Sequence, residues 1–228
     1  MDEFALYMGE ILYKNSVNDF IYKQWLSTDR TTLQTISQST EEFIDTFHAG
    51  LQTLKKHDFI AKEQSNFCSD RKGSLKAGDI LAIANFAENY SFILQDAAQG
   101  FHWNNNQATL HPFICYYRNR IDLEHINFVI VSDCLKHDTV AVHLFQRKLI
   151  EKLKEIVDFD VQKMIYSSDG AASQYKNFKN FINLCNHKFD FGIDAEWHFF
   201  ATSHGKRPCD GLGGTVKRLG AKTSLQRP

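Results

Sequence analysis

The chain has 228 residues, 43 % of them apolar, three prolines and a formal net charge of −1, enough for one α/β domain of about 150 residues plus a helical segment. That charge argues against coating nucleic acid through bulk positive charge. The five scattered cysteines contain no CxxC pair, so they signal neither a disulfide framework nor a zinc knuckle. The acidic start MDEFALYMGE is no secretory signal and no apolar run approaches bilayer length, so the chain reads as soluble and intracellular, without a membrane partner.

Residues 1 to about 66 read as helical. The clearest start is Ser39, where Ser39-x-x-Glu42 fits a capping box and Phe43, Ile44, Phe47, Leu51 and Leu54 follow on one face. The polar run 69–74 reads as a linker, which divides the chain into a helical segment over 1–70 and a core over 71–228. Three strand-length apolar runs follow, at 79–86 (DILAIANF), 110–117 (LHPFICYY) and 126–132 (INFVIVS). A helix is expected over about 139–157, capped by Asp138 or Thr139, with Val142, Phe145, Leu149, Leu153 and Ile156 on one face. A fourth strand at 163–168 leads to Asp169 and Gly170, then a helix at 173–187 with Tyr175, Phe178, Ile182 and Cys185 as its stripe. A fifth strand at 195–202 (AEWHFFAT) and a glycine-rich segment from Asp210 lead into a basic last helix.

Strands joined without helices favour antiparallel pairing, and strands separated by helices favour parallel crossovers. The expected fold is therefore α/β: a mixed five-stranded sheet with flanking helices, in the element order of ribonuclease-H-like nucleotidyl transferases. Ligands of such sheets lie beyond the carboxyl ends of the strands, where Asp169-Gly170 stands; the glycine would let the chain turn sharply. Asp169 could equally cap the next helix. The ribonuclease-H-like arrangement asks for acids on the first strand, after the fourth strand and near the start of the last helix, because two divalent ions must be held about 4 Å apart. Asp169 fills the second position, Asp210 the third, and Asn85 stands at the first.

The segments NFAENYSF, SDGAASQYKN, AEWHFFATSHGK and CDGLGGTVKR resemble a group of transposon-derived proteins of animal genomes with a DDE-type transposase core, over roughly residues 40 to 226. In that group the first motif usually reads DFAENY, so its first catalytic aspartate falls on Asn85. The resemblance implies Asp169 as the second acid, and strand order sets the third on Asp210. It also implies Mg2+ or Mn2+ as cofactor, DNA as partner, self-association, a nuclear location and no small-molecule substrate. The ancestral reaction would be DNA cleavage and strand transfer, impaired here because an amide brings a metal no negative charge. The alternative is a non-catalytic nucleic-acid-binding or protein-interaction module. Transposases generally need a separate DNA-reading domain; none is legible here, so the chain reads as a truncated or partial product.

Several other residues invite a role. Glu88 lies an odd three positions past Asn85 and would compensate only if the chain turns after Phe86. Glu196 could ligate metal or simply begin a strand. His204 could contact the scissile phosphate, and Lys206, Arg207, Lys217 and Arg218 form a basic end that could hold nucleic-acid phosphate; a solvated loop or face is the plainer reading. Gly211, Gly213 and Gly214 suggest a close backbone approach to a neighbour or to DNA, or a turn. His102 and Trp103 could stack on an unpaired base or fold onto the sheet. Zinc at Cys134, His137 and His143, or at Cys185 and His187, lacks a complete four-ligand spacing.

Overall fold

The computed structural model describes residues 3–27, 29–92, 106–200 and 208–226. The chain divides into two compact units, Met1–Ile60 and Ala61–Pro228, and the division falls inside one long helix.

The first unit is not all helical. After α1 (Glu3–Lys14), β1 (Asp19–Ser27) and β2 (Thr31–Ser39) form an antiparallel hairpin with Asp19 opposite Ser39 and Ser27 opposite Thr31. The signal was there in the β-branched, period-two text TTLQTIS, which suits a pleated surface rather than a helix. Phe20 and Tyr22 alternate onto Phe43, whose ring stacks on Phe20 at 4.1 Å between centroids. Helix α2 (Thr40–Gly73) starts with the expected capping box: the Glu42 amide donates to Ser39 Oγ at 3.3 Å, and the Ser39 amide to Glu42 Oε2 at 3.1 Å. It then runs through residues 69–73, so the expected linker is helix; the three charged residues Asp70, Arg71 and Lys72 on its last turn need no break in the chain.

The second unit is a mixed sheet between helices. Its strands are β3 (Asp79–Ala84), β4 (Ala87–Ser91), β5 (Gln107–Asn119), β6 (Asp122–Ser132), β7 (Lys163–Ser168) and β8 (Asp194–Phe199). The sheet has six strands rather than five because the first run breaks at Asn85 and Phe86 and resumes as β4. Both pieces pair antiparallel with β5, from Ile80 opposite Tyr117 to Ser91 opposite Gln107. Since β6 pairs with β5 along Thr109–Asn119, it takes β5's other edge. Across the sheet the order is therefore β6, β5, then β3 with β4, then β7 and β8, the last two parallel to β3.

Both faces of this sheet are covered, which is why β3 reads as an unbroken apolar run. Ile80, Ala82 and Ala84 face Val142, Phe145 and Leu149 of α3 (Thr139–Ile156), while Leu81 and Ile83 face Cys209 of α5 (Pro208–Gln226) and the end of α2 at Cys68. Asp138 caps α3 as expected, accepting from the Ala141 amide at 3.0 Å; Ile156, expected on the buried face, is half exposed. Helix α4 (Phe178–Phe191) begins five residues later than the sequence suggested, because Asn177 caps it and residues 171–177 form turns. Its buried face is consequently Asn180 and His187, and the expected stripe of Phe178, Ile182 and Cys185 lies on the surface.

Candidate functional site

Parallel pairing of β3 with β7 sets Ile83 opposite Ser167. Asn85 and Asp169 each stand one residue past the end of these neighbouring strands, beyond Ala84 and Ser168. Alternation of side chains puts them on the face of Ile83 and Ser167. Phe86, next to Asn85, packs into the opposite core, which agrees with that parity. The same face receives the first turn of α5. Cys209 is buried there, its thiol directed at the Ile83 carbonyl at 3.4 Å, and Asp210 follows it on the exposed side of the turn. The structure thus gathers Asn85, Asp169 and the start of the helix carrying Asp210 at one end of the sheet.

Asp169 does not cap a helix. Its Oδ1 accepts from the Ala171 amide at 3.0 Å, closing a turn of its own, and Asn177 serves α4. Gly170 keeps a negative or extended φ and its missing side chain would meet only Lys176, at 3.8 Å, so the turn does not demand glycine. Beneath Asp169, Trp197 Nε1 donates to Ser168 Oγ at 2.9 Å, and that hydroxyl donates to the Asp169 carbonyl at 2.9 Å. Tyr175, fully buried, lies 2.9 Å by its hydroxyl from His111 Nε2. Burial pushes the Tyr175 phenol far up, and the nearby Asp169 and Cys209 push it further, against an opposing hydrogen bond from the Phe86 backbone. Asn89 and His137 meet at 2.8 Å, and Thr109 joins them at 3.1 and 3.2 Å, holding β4 beside the loop before α3.

Asn89, His111, His137, Tyr175 and Trp197, which form this supporting shell, are given no such role by the sequence analysis. Several of these residues sit within the motifs NFAENYSF, SDGAASQYKN and AEWHFFAT, and that is the signal that could have found them.

The other candidates fall elsewhere. Glu88 is almost wholly exposed and reaches Lys217 of α5 at 3.8 Å, which occupies both in a loose ion pair. Glu196 is held by Arg71, by Lys163 at 2.6 Å and by His198 at 3.1 Å, a carboxylate committed to tying the end of α2 to β7 and β8. Arg218 is exposed on α5. His204, Lys206 and Arg207, like His102 and Trp103, lie outside the described residues. Gly213 permits a close approach, since a side chain there would come within 3.1 Å of Ala87 Cβ, whereas Gly211 and Gly214 face open space. His187 is a satisfied core histidine: its Nδ1 donates to the Ile193 carbonyl at 2.7 Å and its Nε2 faces the Tyr166 hydroxyl at 3.0 Å.

Among the described residues no three His, Cys, Asp or Glu side chains gather into a group that could hold a metal ion. Asn85, Asp169 and Asp210 offer two carboxylates and one amide, and Asp169 already has one oxygen engaged. That set falls one charge short of what two divalent ions require, so the residues as they stand do not fit the pair.

Residues 64–228 match the family model described as Domain of unknown function (DUF8701), and residues 1–55 match a second, Domain of unknown function (DUF8700). No curated protein matches the chain. Among the described residues no helix is long and apolar enough to cross a membrane.

Proposed function

The chain belongs to the family Domain of unknown function (DUF8701), and we propose that it is a transposase-derived protein with a ribonuclease-H-like core. Its ancestral reaction is divalent-metal-dependent cleavage and strand transfer of DNA, blunted because Asn85 stands where the first acid belongs. One observation supports this reading: Asn85 and Asp169 directly follow the ends of adjacent parallel strands, and the first turn of α5, which carries Asp210, packs through Cys209 against Ile83. Strand order supports it further, with three antiparallel strands followed by two parallel to the first.

In this reading Asp169 and Asp210 would hold Mg2+ or Mn2+, Asn85 would be the degenerate ligand, and His204 would contact the scissile phosphate. Lys206, Arg207, Lys217 and Arg218 would hold the DNA backbone, and the protein works in the nucleus. A second reading has one observation in its favour, the amide at 85: the fold is kept for binding DNA or protein and the chemistry is lost.

Labelled DNA incubated with Mg2+ or Mn2+ separates the two. Cleavage by Asn85→Asp, weak or absent in the natural chain and abolished by adding Asp169→Ala, is expected for a decayed nuclease. Salt-sensitive binding without cleavage by either form supports the binding module. Cleavage by the natural chain that survives Asp169→Ala would overturn the site.

A further inference from the structure

An open sheet ends in strands whose outward N–H and C=O groups have no partner. Folded proteins blunt such edges with short strands, bulges or charged side chains. Two edges of the mixed sheet are blunted in these ways. Strand β8 is six residues long and carries Asp194 and Glu196. Strand β4 is five residues long and shifts register between Ala87 and Tyr90.

The edge at β6 is not blunted. This strand runs for 11 residues in unbroken register with β5, from Asp122 opposite Asn119 to Ser132 opposite Thr109. Because β5 gives its other edge to β3 and β4, the outer edge of β6 has no strand partner among the described residues. No other described element lies along it, and every one of its residues keeps some exposure. Its sequence, DLEHINFVIVS, holds no lysine, arginine, proline or glycine. Ile126, Phe128, Val129, Ile130 and Val131 are instead the β-branched and aromatic types that favour pairing. Val131 is 62 % exposed.

Alternate residues of such a strand turn N–H and C=O outward, a row that another extended backbone matches group for group. Charge narrows the occupant. Asp122 and Glu124 precede the apolar run and Asp133 follows it, with no lysine or arginine between them. A second copy laid antiparallel along β6 would set its Asp133 beside Asp122, acid against acid, and nucleic acid would meet the same charge. We propose that β6 is a strand-addition site for an extended segment of another protein, apolar and β-branched at its centre, with lysine or arginine at its ends. The site does not depend on the chemistry at Asn85 and Asp169.

Hydrogen exchange of the full chain, read by NMR, tests this with a short peptide of alternating valine and threonine ended by lysines. In the free chain alternate amides of β6 should exchange fast. Peptide at ten times its dissociation constant should slow them about tenfold. Methylating the peptide's backbone nitrogens keeps every side chain but removes the ladder, and should weaken binding about tenfold or more. Glutamates in place of the terminal lysines, or Val131→Lys in the protein, should weaken it a few-fold. Leu144→Lys, an exposed change on α3, should leave it in place, and circular dichroism should show the fold retained in both variants. Undiminished binding of the methylated peptide would overturn the proposal, as would β6 amides that the peptide does not slow. So would β6 amides that are all protected in the dilute free chain, or that become protected as the chain self-associates or binds duplex DNA.

Discussion

His111 sits on β5 with no exposed surface to speak of, and burial, helped by the neighbouring His137, pushes its pKa down to about 3. His137, His187 and His198 are lowered too, burial again being the main cause. In the unfolded chain these rings titrate near 6.5, so the unfolded state takes up protons first as pH falls. The stability they confer is therefore complete above about pH 6.5 and is lost as pH drops toward the folded values. The urea midpoint should be level from pH 8 to 7 and fall between about pH 6.5 and 5, above the main carboxylate range. His111→Gln should flatten that fall, and a midpoint level through the whole window would contradict the assignment. At this scale the capping box at Ser39 and Glu42 and the cap at Asp138 were legible, because each is closed within three residues. The contact of His111 with Tyr175 spans 64 positions and that of Trp197 with Ser168 spans 29, distances over which one sequence offers no periodic clue.

Among the elements, α5 shows how one residue type can serve opposite ends. Gly213 lets the helix lie on Ala87 and Pro112, and Gly220, seven positions on, lets it lie on Tyr90. Gly214 points to open space, where its only effect is the loss of helix propensity. Gly214→Ala should raise stability by up to about 1 kcal/mol, and Gly213→Val should lower it by about 1–3 kcal/mol through overpacking. Urea denaturation of the two variants measures both, and equal effects would show that α5 does not rest on β4. Helix α3 and the strands of the sheet were legible from apolar periodicity. Strand β4 was not, since its pairing with β5 shifts register between Ala87 and Tyr90 and the alternation is broken. The start of α4 was misplaced because Tyr175 belongs to the turn under the sheet and Asn177 to the cap.

For the whole molecule, the mixed sheet with covered faces follows from the element order, and its unbroken apolar runs carry the mark of two-sided burial. The place of Asp169 at a strand end was legible for the same reason. What one sequence could not supply is the company around it: that β3 and β7 are neighbours in register, that Cys209 seats α5 on Ile83, or that the N-terminal hairpin exists. The central claim is that these elements build an acid site lacking one charge, at position 85. Electron paramagnetic resonance of Mn2+ added to the purified chain tests it directly. Asn85→Asp should create a Mn2+ site that the natural chain lacks or holds at least about tenfold more weakly, and adding Asp169→Ala should remove it. No gain of Mn2+ binding in Asn85→Asp, or a gain that survives loss of Asp169, would contradict the claim.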